Sequence, residues 1–324
     1  MRDRYKTDRN RRSGKVHSPD VAPHRDTGAL TILCMKSPAR ILTFAAVFVL
    51  MGAVACAPEE DSTSDDESSE QAKLSECTPD QLDLYKSGTL TVGTDTPAYE
   101  PWFAGDDPSN GKGYESAVAY AVADRLGFDK GDVTWTSVPF NSSYQPGEKE
   151  FDFDINQISI TKKRAQAVTF SKPYYSAAQA VITMKDSEYA DATSLDDLKS
   201  AKVGAQVGTT SLEAIDQIGP EQQEAIYDNT NQATKALEAG QIDALIADLP
   251  SGYYITAAIL DGSKLVGQFQ PETGDTEEFG LLFEKGNPLV SCVDAAIEDL
   301  KSDGTLDSIE KKWLSESTDV PELS

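Results

Sequence analysis

Apolar and polar residues along positions 78–314 form short blocks whose spacing alternates between that of helices and that of strands. Helices are predicted where apolar residues recur at helical spacing beside a cap or a glycine: 78–88, 114–126, 195–199, 211–218, 232–239, 250–260, 289–301 and 306–314. Strands are predicted where short apolar or alternating runs lie between turn residues: 89–94, 133–138, 151–160, 180–184, 202–205, 242–247 and 279–284. Strands alternating with helices predict an α/β fold with mainly parallel sheets flanked by helices.

The predicted strand 151–160 carries two acids on one face. Phe153 and Ile155 are expected on one side, and Asp152, Asp154 and Asn156 on the other. Two carboxylates two residues apart are compatible with a metal or catalytic pair, but no third ligand is evident. We therefore expect solvated or helix-facing acids, no metal, no cofactor and no catalytic residue.

An apolar run near the N-terminus has the features of an export signal. It extends from Ile41 to Val54 and follows Lys36 and Arg40, which matches a charged n-region and an h-region. The small residues before Cys56 resemble a lipobox, so Cys56 is expected to be lipidated and to become the mature N-terminus. The alternative is an uncleaved anchor, although a spanning helix needs about 20 apolar residues.

The segments around this signal complete the predicted N-terminal organisation. Residues 1–34 lack apolar periodicity, and a signal n-region belongs near the terminus, so Met35 is expected to be the true start. Residues 1–55 are thus leader and signal peptide. Residues 57–73 hold seven acids and almost nothing apolar, so 56–76 is predicted to be a disordered tether.

Charge and histidine content exclude several kinds of function. The chain has 324 residues and a net charge of −25; after residue 55 it has 19 basic and 50 acidic residues, a net of −31. Such a surface repels phosphate backbones, so nucleic-acid binding is not expected. Both histidines, His17 and His24, lie in the leader, so the mature protein would have none for a catalytic triad or a zinc site.

Two cysteines, Cys77 and Cys292, remain in the predicted folded part. Outside the membrane such a pair is more often a disulfide than two free thiols, although the sequence does not give their distance.

Seven segments in order resemble family-3 solute-binding proteins, the amino-acid receptors of ABC importers. They are VGTDTPAYEPW (92–102), GKGYESAVAYAVADRLG (111–127), ISITKKRAQAVTFSKPYY (158–175), VGAQVGTTS (203–211), AGQIDALIADLP (239–250), FGLLFEKGNP (279–288) and LKSDGTLDSIEKKW (300–313). The resemblance covers about Leu90 to Trp313.

The resemblance implies a two-lobed type II periplasmic-binding-protein fold with a two-segment hinge. Lobe one would be 77–176 plus 280–324, and lobe two 177–279. An amino acid between the lobes would favour the closed state, because only that state makes both sets of contacts. The implied partners are a free amino acid, the permease subunits of an ABC transporter and the membrane through the lipid on Cys56. A monomer without a cofactor is expected.

The family pattern also assigns the ligand's two charged groups. Arg164, in the pattern S-x-T-x-x-R, would hold the carboxylate with Thr210 at a helix N-terminus. Their alternatives are a surface arginine and an ordinary helix cap. Asp248 would hold the ammonium, helped by Ser159 and Asn156; its alternative is a helix cap before Pro250.

Lobe one would supply most of the side-chain pocket. The positions that match are Asp95, Tyr99, Trp102, Phe140, Gln157 and Gln206, the last of which lies in lobe two. For the aromatic residues the alternative is core packing. Because Asp95 would repel an acidic ligand, a basic or amide side chain is favoured.

A periplasmic cyclohexadienyl or prephenate dehydratase is the main alternative on the same fold. Its acidic substrate would use Arg164 and would not need Asp248 for an ammonium.

Overall fold

The computed structural model describes residues 73–271, 276–314 and 320–323. The predictions for the signal peptide, for Met35 as the start and for Cys56 lie outside these residues. Within the described ranges, no helix is long and apolar enough to cross a membrane.

Helices flank the strands along the described chain. The α-helices are α1 (Tyr114–Arg125), α2 (Phe140–Ser143), α3 (Arg164–Ala167), α4 (Thr210–Ile218), α5 (Thr230–Glu238), α6 (Leu249–Tyr254), α7 (Leu289–Ser302) and α8 (Thr305–Leu314). A π-helical turn, Ile255–Ile259, continues α6. Short 3-10 turns cover Leu74–Glu76, Ala104–Asp106, Pro108–Asn110, Lys130–Asp132 and Leu195–Leu198.

Ten strands form two five-stranded sheets in the described part of the chain. They are β1 (Leu90–Thr94), β2 (Val133–Ser137), β3 (Phe153–Asp154), β4 (Thr169–Ser176), β5 (Gln179–Met184), β6 (Val203–Gln206), β7 (Ala225–Tyr227), β8 (Ala244–Asp248), β9 (Ser263–Phe269) and β10 (Glu278–Phe283). The first sheet has the order β2-β1-β3-β10-β4 and the second β7-β6-β8-β5-β9. We call the parts built on them body one and body two.

Both sheets are mixed, whereas the sequence predicted mainly parallel sheets. In body one β1 pairs in parallel with β2 and β3, but β10 pairs antiparallel with β3 and β4. In body two β6 pairs in parallel with β7 and β8, but β5 pairs antiparallel with β8 and β9. Each antiparallel pair includes a strand next to one of the two crossings between the bodies, β4, β5, β9 or β10.

The chain crosses between the bodies twice. It leaves the first sheet after Ser176 and enters the second at Gln179, and it returns between Phe269 and Glu278. The C-terminal residues differ from the prediction that placed all of 280–324 in lobe one. Leu323 packs in the core of body two, and its N–H donates to the carbonyl of Gln268.

Each body has its own apolar core. The core of body one contains the buried face of α1, including Val118 and Val122, packed with α7. The core of body two contains Ile215 of α4 and Val203 of β6. The cysteines form the predicted disulfide: Cys77 and Cys292 are bonded, with their Cα atoms 5.6 Å apart, and this joins the start of the fold to α7.

Several predicted elements were wrong in type or extent. Residues 78–88 form turns instead of a helix, because the Asp152 carboxylate accepts the N–H groups of Tyr85 and Thr91 and holds this segment against β1. The predicted strand 151–160 shortens to β3. Strands β4, β7 and β9 were not predicted, since Pro173 interrupts the first and polar residues break the periodicity of the others.

Candidate functional site

A cavity of about 300 Å³ lies between body one and body two. Side chains from both bodies border it: Asp95, Tyr99, Glu100, Asp106, Phe140, Asn156 and Gln157 from body one, and Gln206, Thr209, Thr210, Ser211, Thr230, Asp248, Ser251 and Tyr254 from body two. The loops after the parallel strands β1 and β6 supply several of them, as expected for α/β sheets, whose ligands bind beyond the carboxyl ends of the strands.

On the side of the cavity formed by body one, Asp95 follows β1 directly. Its carboxylate accepts the N–H of Thr96 at 2.7 Å and that of Phe140 at 3.3 Å. Phe140 begins α2 and is itself buried at the cavity. Tyr99 borders the same space, and its pKa is raised by burial and by the charges of Asp95 and Asp106.

Gln157 is held in place by a buried acid. Its backbone has a φ of +48°, and its N–H donates to Oε1 of Glu115 at 2.7 Å. The Gln157 side-chain amide and the Tyr174 hydroxyl also donate to this carboxylate. Burial raises the pKa of Glu115 to about 7, although these hydrogen bonds lower it. Glu115 was missed, but its place on the buried face of α1 with Val118 is a signal that periodicity could have revealed.

Asn156 borders the cavity with an unpaired donor. It is 7% exposed, and its Nδ2 has no partner among the described residues. An amide N–H suits an acceptor on a ligand, such as a carboxylate, and not an ammonium. The position of Asn156 agrees with the predicted site, but its unpaired atom has the opposite chemistry from the role expected for it.

Helix α4 directs its N-terminus at the cavity. Thr209 caps the helix by accepting the N–H of Leu212 at 3.1 Å, so the cap is not Thr210 or Ser211. This leaves the N–H groups of the first turn close to the cavity, where the helix dipole favours an anion. Gln206 also lies here, and its Oε1 accepts the N–H and the hydroxyl of Thr230 at 3.0 Å.

Gly208 allows the α4 loop to approach body one closely. Its φ is +76°, and a Cβ there would lie 2.2 Å from Oδ1 of Asn141 and 2.5 Å from the Tyr144 hydroxyl. Only glycine combines this backbone conformation with such a short approach.

Arg164 lies one layer behind the cavity wall and does not border the cavity itself. Its Nη1 donates to the carbonyl of Ser159 at 2.8 Å and its Nη2 to that of Gly208 at 3.0 Å. The guanidinium stacks on Phe140 and Tyr144, with its carbon 5.5 and 4.8 Å from the ring centroids. It is buried, so it is not the surface arginine considered as the alternative. Ser159 likewise lies outside the cavity lining and shares a hydrogen bond with Thr210 at 3.1 Å between hydroxyl oxygens.

Asp248 ends β8 and borders the cavity. It stands at the N-cap of α6, but its side chain makes no capping hydrogen bond, so the helix-cap alternative is wrong. Its Oδ1 accepts the side-chain amide of Gln179 at 3.0 Å. Removal from bulk water raises the pKa of Asp248 well above its usual range, and the charge of Glu277 raises it further. Neither Gln179 nor Glu277 was predicted, because the sequence does not show that the crossing segments meet here.

Trp102 is a core residue and does not line the cavity, so this prediction was wrong. It is fully buried among Tyr114, Tyr175 and Phe279, with ring centroids 5.6 to 5.9 Å away. Its indole N–H nevertheless reaches body two and donates to Oγ of Ser251 at 2.8 Å.

The sequence model of a protein family, the bacterial extracellular solute-binding proteins, family 3, matches residues 90–316 of this chain. The chain belongs to this family. The L-cystine-binding protein TcyJ of Escherichia coli is 32% identical to this solute-binding protein over 236 residues, which are 70% of this chain and 83% of the relative.

Solved structures of binding proteins also resemble this solute-binding protein. One is an ancestral arginine-binding protein bound to glutamine, 33% identical with a TM-score of 0.59, covering 70% of this chain and 98% of that one. Another is the ancestral amino acid-binding protein AncCDT-1, a precursor of cyclohexadienyl dehydratase, 30% identical with a TM-score of 0.58 over 70% and 95%. The predicted family and the two-lobed α/β fold are confirmed.

The cavity of this solute-binding protein is strongly acidic. Four carboxylates border it, from Asp95, Glu100, Asp106 and Asp248, and none of the described lining residues is Lys, Arg or His. No described Lys or Arg forms an ion pair with any of the four. Such a cavity favours a ligand that carries positive charge.

Proposed function

We propose that this solute-binding protein captures a free amino acid with a basic side chain outside the membrane and delivers it to the permease subunits of an ABC importer. The observation that carries this proposal is the cavity bordered by four carboxylates that lack a cation partner among the described residues. A basic amino acid has two cationic groups, one for each end of such a cavity. Relatives named as cystine- and arginine-binding proteins support an amino acid as the ligand.

The ligand's α-carboxylate would lie at the N-terminus of α4. There Thr210 and Ser211 border the cavity, and Arg164 and Asn156 supply further donors close by. A planar guanidinium suits a carboxylate because it can donate two parallel hydrogen bonds. Arg164 would exchange a bond to a backbone carbonyl for one to the ligand.

The ligand's ammonium would lie at Asp248, with Ser159 nearby as a secondary contact. Its side chain would extend between Tyr99 and Phe140 towards Asp95, with Gln157 and Gln206 at the sides. Aromatic faces suit a guanidinium or an aliphatic chain. Glu100 and Asp106 add negative charge at this end, which ranks a basic side chain above an amide and both above an acid.

The dehydratase alternative receives no support from the cavity. A prephenate-like substrate carries two carboxylates, and it would meet four carboxylates in the described lining that form no ion pair with a described Lys or Arg. The matched relative that is a precursor of that enzyme is itself named as a binding protein.

Ligand capture would work by hinge closure of a monomer. We propose that body one and body two are the lobes, with boundaries near 77–176 plus 280–314 for lobe one and 177–279 for lobe two, and that the C-terminal residues 320–323 join lobe two. Bonds such as that of Arg164 to Gly208 connect the two bodies, so they would form on closure and break on opening.

Calorimetric titration with lysine, arginine, glutamine and glutamate at pH 7.5 tests this function. We expect the basic amino acids to bind most tightly and glutamate not to bind. Asp248→Asn should weaken binding at least about 30-fold, because it removes the charge partner of a desolvated ammonium. The matched control is Asp261→Asn, an exposed position outside the cavity, which should bind as wild type does. Binding of none of these amino acids, or dehydratase turnover by the purified protein, would contradict the proposal.

We further propose that Cys56 carries the lipid that anchors the protein on the outer face of the membrane. The support is the apolar run 41–54 followed by small residues and Cys56. Mass spectrometry of the mature protein should find an acylated N-terminal Cys56, and Cys56→Ser should release the protein into the soluble fraction. An unmodified Cys56 in membrane-bound protein would refute the anchor.

A further inference from the structure

Glu277 is a buried acid on the returning crossing segment, just before β10. It is 6% exposed. Its Oε1 accepts the hydroxyl of Ser159 at 2.7 Å, and its Oε2 accepts the side-chain amide of Gln179 at 2.7 Å. The carboxylate of Glu277, on the returning segment, thus binds both Ser159 of body one and Gln179, where the first crossing segment enters body two.

The amide of Gln179 joins Glu277 to Asp248. The same nitrogen, Nε2, lies 2.7 Å from Oε2 of Glu277 and 3.0 Å from Oδ1 of Asp248. Because an amide nitrogen carries two hydrogens, each can serve one carboxylate. The two carboxylates are therefore held close together by one neutral group.

This pair lacks a cation of its own. Among the described residues, no Lys or Arg forms an ion pair with Asp248 or Glu277. The charged groups that act on Asp248 are Glu277 and Glu115 of α1, which raise its pKa, and Arg164 of α3, which lowers it together with the hydrogen bond from Gln179. Two neighbouring carboxylates removed from water and without an ion-paired cation are unfavourable, so the site attracts a positive ligand group, and the pKa of Asp248 is raised.

A second observation at the same place also indicates a missing donor. The Oε1 of Gln179 is buried and has no partner among the described residues. An ammonium has three N–H donors and one positive charge, which is what two carboxylates and an unpaired amide oxygen lack. Asp248 borders this cavity, whereas Glu277 borders a neighbouring one with Ser159 and Thr210. A ligand in the first cavity therefore meets the pair through Asp248.

We propose that Glu277 is a positioning residue for the ligand's ammonium: through Gln179 it orients the Asp248 carboxylate and adds a second negative charge to the site. This inference rests on the proposed function, because it needs a ligand with an ammonium. A consequence is that binding displaces a proton from Asp248, since ammonium and proton compete for the same carboxylate.

The test is the pH dependence of arginine affinity, measured by calorimetry from pH 4.5 to 8.5 in wild type and in Glu277→Gln. Wild type should bind less tightly as the pH falls through the raised pKa of Asp248. In Glu277→Gln the affinity at pH 8 should fall about tenfold or more, since one of two charges is lost. The decline at low pH should also begin at a lower pH, because Asp248 no longer has a like charge beside it.

The matched control is Glu278→Gln, one residue further along and outside both hydrogen bonds of Glu277, which should reproduce the wild-type profile. A purely structural role for Glu277 would lower the affinity without moving the decline at low pH, and that result would overturn the inference. A second measurement needs no variant: titrations of wild type in two buffers of different ionisation enthalpy should show proton release on binding.

The remaining outcomes separate this inference from the proposed function. If wild type binds arginine without releasing a proton at any pH in the range, or if Glu277→Gln binds as wild type does, the inference alone is wrong. If wild type binds no amino acid, both are wrong.

Discussion

At the scale of single residues, the Asp154 carboxylate on β3 is unusual in its burial and its lack of hydrogen-bond partners in the part of the chain that the structure describes. It is fully buried, and neither of its side-chain oxygens has a partner among the described residues. The opposing residue on β1 is Gly93, where a Cβ would lie 2.6 Å from Oδ2 of Asp154. Glycine thus makes room for the acid. Of the two environments expected for Asp152 and Asp154, solvated or helix-facing, their burial excludes the solvated one.

Asp154→Asn should stabilise the protein at alkaline pH. Burial raises the pKa of Asp154 well above its usual range, with Glu115 and Asp95 contributing. The folded state therefore keeps a proton that the unfolded state has lost, so this residue's favourable contribution is complete at low pH and is lost as the pH rises through the folded-state pKa. Asn has the same shape and no ionisable proton, so the variant avoids the cost of a buried negative charge at high pH.

Thermal unfolding followed from pH 4 to 8.5 checks this. The melting temperature of the variant should exceed that of wild type by at least about 2 °C at pH 8, and the two should converge at low pH. Asp129→Asn, at an exposed position, is the control and should follow wild type throughout. A variant that is destabilised equally at every pH would contradict the prediction, because ionisation of Asp154 would then not be the source of the difference.

At the scale of elements, contacts between bodies concentrate on α4 and α6. Gly208 before α4 accepts from Arg164 of α3, and Ser251 of α6 accepts from the indole of Trp102. The aromatic residue expected to line the pocket is therefore a core residue whose polar edge reaches across to body two. The sequence could not separate these roles, because Trp102 has both an apolar ring and an N–H donor.

Ser251→Ala should weaken ligand binding by shifting the balance away from the closed state. The substitution leaves the buried indole N–H of Trp102 without its acceptor when the bodies are together, at about 1–3 kcal/mol. That corresponds to a fall in affinity of roughly five-fold or more. Because the lost bond connects the bodies and not the interior of either, the melting temperature without ligand should change little.

Calorimetry with the best-binding amino acid measures the expected fall in affinity. Small-angle X-ray scattering of the ligand-free protein measures the expected shift away from the closed state. Ser302→Ala, at the exposed end of α7, is the control. Unchanged affinity together with an unchanged scattering radius would show that the Trp102–Ser251 bond does not stabilise closure.

At the scale of the whole molecule, the chain order determines both the mixed sheets and the site. β10 follows all strands of body two, yet it inserts antiparallel between β3 and β4 of body one. The return segment that precedes it carries Glu277, while the first crossing leads to Gln179. Two segments about 100 residues apart in sequence thus meet beside Asp248, at the junction of the bodies.

The sequence by itself determined the element types wherever the periodicity was strong, as in α4, α7 and α8, because one buried face dictates the spacing of apolar residues. It also indicated the family, favoured a disulfide between Cys77 and Cys292 without giving their distance, and predicted eight of the residues that border the cavity, among them Asp95 and Asp248. Only the tertiary structure decided strand partners, the placement of Trp102 in the core, the position of Arg164 behind the wall and the meeting of Glu277 with Gln179. These depend on contacts between residues far apart in the chain, and local spacing carries no record of which distant segments pair.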